Sequence, residues 1–517
     1  MQESKPLSRW VGIIDLGSNS ARLMVAHFRP GYAYRITDEI SRRVRLSEGQ
    51  AADGQLHPAA CARAIETVRL FKAFCDAHGI RRILPVATAA VRDAANRAEF
   101  LAELKAATGV RFRVLTGEEE AYYGVLGVVN GVSLRSGLVM DLGGGSAEVS
   151  QVSAGKFQRG QTTPLGSVRL TEMFFAGAER VRPADIERLD KHANAWFGTL
   201  PWMDLARVRG EARFVGVGGT VRALARIDRE QRHYALGLVN GYELERQRLE
   251  ALIDELADLP VSERAARVPG LQPDRADIIL AGALVVRAAM RRAGAQALTV
   301  SGHGLREGLF FQEFARPSDE PVLPNLRQFS VENLGRLYDF DAVHAAHVTQ
   351  LSLSLFDQLA SRHGYGRAER DCLWAASQLH DIGTVVDYYD HHKHSDYIIM
   401  SAGLPGYSHP ETVLIALLCL YHRKGRPVPE QLSILTEPGD LKRVSRLASL
   451  LRLAEYLDRS RTQVVARLRL RPEGDNKIRL LAQLRPGADA QVEIWEAQRN
   501  ADLFEEAFGC KLEIKAN

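Results

Sequence analysis

Two eight-residue stretches carry the chain's most informative chemistry. Asp15-Leu16-Gly17-Ser18-Asn19-Ser20-Ala21-Arg22 aligns position for position with Asp141-Leu142-Gly143-Gly144-Gly145-Ser146-Ala147-Glu148. Each has an aspartate at the end of an apolar run, a Gly/Ser/Asn turn and a second alternating run, which predicts a β-hairpin. Such a turn offers backbone N–H groups and hydroxyls where a phosphate can come close, because glycine has no Cβ in the way. The eighth position differs in kind. Asp141 and Glu148 flank the second turn, so two carboxylates can face one another across the strands. Paired carboxylates beside a phosphate turn suit Mg²⁺, which takes one or two such ligands plus water and phosphate oxygens. In the first hairpin that place holds Arg22, suited to a phosphate. The plain alternative is that Arg22 and Glu148 are charged strand positions facing water.

The elements around the hairpins repeat the theme. Phe214-Val215-Gly216-Val217-Gly218-Gly219-Thr220 is an apolar strand entering a GGT turn and then a helix, Val221–Arg226, whose free N–H groups form an anion site. A similar glycine-rich junction spans Leu298–Gly308. The strand Ile83–Ala87 leads to Arg92, expected in the first turn of a helix as a phosphate clamp. Phe112–Tyr122 reads as strand, turn and acidic helix start, with Glu118, Glu119 and Glu120 in sequence. Glutamates favour a helix N-terminus, so at least two of the three are expected to be solvated first-turn residues. Two matching hairpins, each opening a long α/β stretch, predict a duplicated pair of domains facing a phosphate-lined cleft.

In this order, DLGSNS, ATxxxRxAxN, TGxEEA, DLGGGSxE, GxGGT and GLREG resemble the exopolyphosphatase / guanosine pentaphosphate phosphohydrolase family. The resemblance is close over residues 11–311 and looser towards the C-terminus. It implies an α/β fold of two duplicated RNase H-like lobes, as in the actin/Hsp70/sugar-kinase superfamily. An all-α HD-like domain and a small α+β domain would follow, with divisions at residues 1–124, 125–311, 312–463 and 464–517. It implies Mg²⁺-dependent removal of the terminal phosphate from inorganic polyphosphate, or alternatively from pppGpp, by a homodimer. Carried over by position, Glu120 is the general base, with Glu119 its rival. Asp141 and Glu148 hold Mg²⁺, directly or through water. Ser18, Asn19, Gly144, Gly145, Ser146, Gly219 and Thr220 cradle phosphates, while Arg22 and Arg92 neutralise the transferring group. Arg45 and Arg169 also fall on the family pattern, and either can instead be an interlobe salt bridge.

Beyond Phe311 the text changes. Asp319–Asn325 reads as a linker, and the segments to about Ser460 carry helical periodicity. Within them lie His344, His380-Asp381, the run Asp390-His391-His392-Lys393-His394, His409 and His422. The adjacent His-Asp pair with further histidines resembles the HD phosphohydrolase site, in which imidazole and carboxylate bind Mn²⁺, Fe²⁺ or Zn²⁺. His344, His380, Asp381 and His422 are the candidate ligands for this second divalent metal. The HD pattern ends on an aspartate; here Glu455 holds that place, with Asp458 one turn later. In the exopolyphosphatase family this domain resembles an HD relic that helps bind the chain, and histidines also serve as packed polar residues. Lys393, His394, Arg423, Lys424 and Arg426 could line a basic channel guiding polyphosphate; a solvated helix end is the alternative. Residues from about 465 read as short strands with one helix and no site.

Composition limits the remaining classes. The 517 residues are 46% hydrophobic and 25% charged, ordinary for globular chains. With 67 basic against 63 acidic residues the net charge is +4, so no general attraction to nucleic acid is expected. About five arginines stand for each lysine, which suits bidentate grip on phosphate but also follows from a GC-rich genome. MQESKPLSRW has no apolar leader, and the apolar run Thr412–Leu420 falls short of the ~20 residues that span a bilayer, so a cytoplasmic protein without membrane contact is expected. Five scattered cysteines form no CxxC pair. The competing readings are an actin-like ATPase or sugar kinase, for which the TGEEEA glutamate is no signature, a catalytically silent polyphosphate sensor, and an enzyme whose chemistry lies in the HD-like domain.

Overall fold

In the computed structural model, which describes residues 7–175, 177–316, 321–474 and 476–517, the aligned stretches each open a sheet. The first contains β1 (Arg9–Leu16), β2 (Ser20–Arg29), β3 (Ala33–Arg43), β4 (Ile83–Ala87) and β5 (Arg113–Val114). Their order is β3-β2-β1-β4-β5, antiparallel among the first three and parallel from β1 through β5. Val11, Ile13, Ile14 and Leu16 are all fully buried, as a strand covered on both faces requires. Parallel neighbours need crossovers, which the helices Pro58–Ala77 and Arg97–Thr108 supply.

The second sheet contains β6 (Ser136–Leu142), β7 (Ala147–Ser153), β8 (Lys156–Thr163), β9 (Ala212–Val217), β10 (Glu243–Glu245) and β11 (Ala297–Val300). Counted outward from its hairpin the order is β8-β7-β6-β9-β11, with β10 added antiparallel at the edge. Strand order and direction match the first sheet, so the repeat is a duplication of fold: two RNase H-like lobes, each with its own apolar core.

Two helices tie the lobes together. Gly117–Val129 and Leu305–Phe314 cross so closely that a Cβ on Gly127 would collide with Gly304 O, and one on Gly308 with Tyr123 O. The second helix reaches the first sheet, where Phe310 packs on Phe28 and Tyr34 at 5.5 and 5.0 Å between ring centroids. The divisions expected at 124/125 and 311/312 therefore fall inside helices. Apolar periodicity marks a helix but carries no sign that it serves two lobes.

The chain forms two compact units, residues 7–234 with Val239–Leu326, and Arg327–Asn517 with Ala235–Leu238. Of the expected linker, Asp319 and Glu320 lie outside the described residues, as do residues 1–6 of the N-terminal stretch. The C-terminal unit is helical up to Tyr456 and then adds β12 (Val465–Pro472), β13 (Lys477–Leu484) and β14 (Lys511–Ala516). Two short helices, Gln491–Arg499 and Asp502–Phe508, precede β14. Val348 and Leu451 of the helices share one apolar core with Leu480 and Ile514 of this sheet, so the division expected at 463/464 separates elements that bury one another. Among the described residues no helix is long and apolar enough to cross a membrane. All five cysteines are buried and unpaired.

Candidate functional site

The hairpin register sets the chemistry of the cleft. Asp15 stands opposite Arg22 in β1/β2, and Asp141 opposite Glu148 in β6/β7, so each pair projects from the strand ends on the same side. Both turns close alike, Gly17 N donating to Ser20 O at 3.2 Å and Gly143 N to Ser146 O at 3.0 Å. They also meet: a Cβ on Gly145 would stand 2.6 Å from Ser18 Oγ, and one on Gly144 3.2 Å from Asn19 Cβ. A larger residue at either position would press on the opposite turn.

The triple glutamate is resolved by helix geometry. Thr116 caps the helix Gly117–Val129 in a capping box: Glu119 N donates to Thr116 Oγ1, and Thr116 N to the Glu119 carboxylate at 2.9 Å. Glu119 also pairs with Arg113, which removes it as a rival to Glu120. Glu120 turns inward on the face shared with Gly124, beside which Asp141 lies. Its side chain is only 12% exposed, and its Oε2 accepts a 2.7 Å hydrogen bond from Arg92. Arg92 sits at the end of the one-turn helix Ala89–Arg92 rather than opening a longer one. It does not line the cavity as the expected phosphate clamp; its guanidinium holds Glu120 instead.

A single cavity is lined by Glu120, Asp141, Glu148, Arg22, both turns including Ser18, Asn19, Gly144, Gly145 and Ser146, and the junction Gly219-Thr220. The helix Gly219–Gln231 presents its N-terminus there. Burial dominates the electrostatics. It raises the Glu120 carboxyl to about 7 against the pull of Arg92, with Asp141 and Asp15 adding to the rise. It raises Asp141 to about 6, against Arg222. Burial, then the carboxylates of Glu120 and Asp141, push Glu148 well above the usual range. Burial also brings Arg22 down to about 10, helped by Arg222 and Arg306. Asp15 Oδ1, Asn19 Oδ1 and Glu148 Oε1 are buried with no hydrogen-bond partner among the described residues.

Sequence reasoning missed five charged lining residues: Asp15, Arg222, Arg275, Arg306 and Glu307. Three had a readable signal. Asp15 is the repeat counterpart of Asp141, and Arg306 and Glu307 lie in the GLREG motif. Arg222 follows the GGT turn, whereas Arg275 ends the short turn Pro273–Arg275 and has no pattern around it. Arg45 and Arg169 take the alternative role. Arg45 pairs with Asp277 and Arg169 with Asp93 at 3.7 Å, each joining one lobe to the other.

In the C-terminal unit the expected metal residues converge. His344 Nε2 and His380 Nε2 lie 2.9 and 3.0 Å from Glu455 Oε2. Asp381 and His422 adjoin them, their Oδ1 and Nε2 3.6 Å apart. Glu455 thus occupies the place of the expected aspartate. Asp458 stands behind His344, its Oδ2 2.8 Å from Nδ1. Three of the five expected channel residues have acidic partners. Lys393 and Lys424 reach Asp390 at 3.1 and 3.7 Å, and Arg426 reaches Glu506 at 2.9 Å. Arg423 donates to Tyr389 O at 2.9 Å, and His394 belongs to the helix His391–Ala402.

Comparison with known proteins agrees with this architecture. Residues 24–316 match the model of the Ppx/GppA phosphatase family, and residues 326–490 that of Ppx/GppA phosphatase, domain III. A Ppx/GppA family member from Aquifex aeolicus is 28% identical, with a TM-score of 0.52, over 60% of this chain and 99% of its own. A protein described as exopolyphosphatase-like is 29% identical, with a TM-score of 0.52, over 59% and 97%. An exopolyphosphatase from Cytophaga hutchinsonii, 22% identical with a TM-score of 0.54 over 59% and 98%, shares the fold. With a family model covering more than half its length, the chain belongs to the Ppx/GppA phosphatase family.

Proposed function

We propose that this chain is an exopolyphosphatase that hydrolyses the terminal phosphate of inorganic polyphosphate, using Mg²⁺ and Glu120 as general base. One observation carries the reading: Glu120, Asp141, Glu148, the arginines and both glycine turns line a single cavity. The residues fit Mg²⁺. Buried carboxylate oxygens without partners, Asp15 Oδ1 and Glu148 Oε1, adjoin the raised carboxyl of Asp141, an oxygen donor set withdrawn from water. Asp141 and Glu148 would hold the ion, which when bound supplies charge neutralisation at the phosphoryl oxygens.

The protein groups then have separate tasks. Arg92 fixes one oxygen of Glu120, leaving the other to orient water and take its proton. A carboxyl near pH 7 suits that proton transfer. The water oxygen bonds to the terminal phosphorus as the phosphoanhydride bond breaks, and the shortened chain leaves with the electron pair. Arg22, Arg222 and Arg306 face the charge that spreads over the phosphoryl oxygens, while N–H groups of the turns and of Gly219-Thr220 hold the phosphates.

pppGpp ends in the same anhydride and is the competing substrate. Initial rates of phosphate release from long polyphosphate and from pppGpp, at equal concentrations of chain ends with Mg²⁺, decide the assignment. Faster release from polyphosphate is expected; faster release from pppGpp would overturn it.

A further inference from the structure

The histidine cluster of the C-terminal unit contains two groups of closely spaced donor atoms. Three of its rings have their protons assigned by the backbone. His380 Nδ1 lies 2.8 Å from Ser377 O, His391 Nδ1 2.7 Å from Tyr388 O, and His422 Nδ1 2.6 Å from Cys419 O. A carbonyl only accepts, so each Nδ1 carries the hydrogen and each neutral ring turns a bare Nε2 lone pair inward. In the neutral rings His391 Nε2 and His422 Nε2 thus face each other at 3.1 Å as two acceptors. Asp381 Oδ1, 3.2 Å from His391 Nε2 and 3.6 Å from His422 Nε2, is buried without a hydrogen-bond partner. Three electron-pair donors crowd one point, an arrangement that a bound cation would relieve.

A second set shares Asp381. His344 Nε2 and His380 Nε2 are 3.3 Å apart, each about 3 Å from Glu455 Oε2, and Asp381 Oδ2 is 3.9 Å from His344 Nε2. Ligands held ~2.1 Å from one ion stand roughly 3.0 to 3.4 Å from each other, which the nitrogen–nitrogen and Glu455 separations match, while the 3.6 and 3.9 Å separations to Asp381 close to that range with a small side-chain shift. Asp458 behind His344 fixes which ring nitrogen faces inward, as outer carboxylates do for ligand histidines. Arg461 also rests on Asp381, sharing Oδ2.

We propose that His344, His380, Asp381 and Glu455, together with Asp381, His391 and His422, form a two-ion centre for first-row transition metals, bridged by the Asp381 carboxylate. Four imidazoles select Mn²⁺, Fe²⁺ or Zn²⁺ over Mg²⁺. A pocket lined by Tyr388, Arg423, Tyr456 and Arg459 opens on His391 and His422, leaving that side of the pair uncovered. The assignment rests on none of the cleft chemistry.

Full-length chain is stripped with chelator, loaded with Mn²⁺ or Zn²⁺ alone, freed of excess metal and measured by elemental analysis. Two ions per chain are expected, in the wild type and equally in Asp141→Asn/Glu148→Gln. The Mn²⁺-loaded wild type is expected to give the exchange-coupled electron paramagnetic resonance spectrum of adjacent ions. His391→Gln/His422→Gln is expected to keep one ion and the uncoupled six-line signal. No retained ion, a single ion, or two uncoupled ions in the wild type would overturn the proposal, whether or not the variants fold. Two coupled ions persisting in folded His391→Gln/His422→Gln would do so as well.

Discussion

The cleft and the histidine cluster both concentrate buried ionisable groups, but they solve different problems. The cleft offers oxygen donors, Asp15, Asp141 and Glu148, beside arginines and glycine turns that admit a polyanion. The cluster offers imidazole nitrogens within 2.9 to 3.9 Å of their neighbours. In the cleft, burial raises the carboxyls of Glu120 and Asp141, and a bound Mg²⁺ would offset that cost. In the cluster each histidine already has a carbonyl or carboxylate partner that fixes its tautomer. The lesson is that donor type and access, more than charge count, separate the proposed site for binding and cleaving phosphate from the proposed site for holding metal.

The sharpest way to break the comparison is to disarm one region and read both. Glu120→Gln is expected to lower kcat by roughly 10²–10⁴, the usual contribution of a general base, with KM for polyphosphate and metal content of the cluster unchanged. A rise in KM with kcat preserved would give Glu120 a binding role instead.

The next test concerns charge in the cleft. Burial lifts Glu120 from an ordinary 4.5 to about 7, so its proton favours the folded state at low pH and that contribution is lost as pH rises through about 7. Mg²⁺ should offset the repulsion that ionisation leaves behind. Melting temperatures are therefore expected to rise more with Mg²⁺ at about pH 8 than at about pH 5.5, and the rise should vanish in Asp141→Asn/Glu148→Gln. An equal rise at both pH values, or one surviving the double substitution, contradicts the assignment.

Arg92 gives a smaller effect of definite sign. Its guanidinium favours the Glu120 carboxylate, so Arg92→Ala should move the acid limb of kcat/KM from about 7 to higher pH. A limb that stays or moves down would show that the pair does not tune the base. The smallest change is expected from Arg423→Ala/Lys424→Ala. Both cations have local partners, so a few-fold rise in KM for long polyphosphate and none for short chains is predicted. An equal change at every chain length would remove these residues from chain binding.

Much of this was legible in the sequence because hairpins are local. Turn residues and alternating apolar positions fix the register, so Asp141 opposite Glu148 and Asp15 opposite Arg22 follow from short stretches of text. What escaped depends on distant segments. Arg92 reads as a phosphate clamp until Glu120 is seen beside it. Arg275 reaches the cleft from a three-residue turn without periodicity. Arg45 and Arg169 have the right type for phosphate, but Asp277 and Asp93 claim them. In the cluster, the HD pattern pointed to His380 and Asp381, whereas His391 as a further donor and Asp458 as an orienting carboxylate emerged only when helix ends were brought together.

The central claim is that phosphate release happens in the cleft. Single-turnover hydrolysis of long polyphosphate with Mg²⁺ by wild type, Glu120→Gln and His380→Gln/Asp381→Asn tests it directly. The cleft account predicts that Glu120→Gln loses the rate while the cluster variant keeps it. Hydrolysis that survives in Glu120→Gln and disappears from His380→Gln/Asp381→Asn would contradict it.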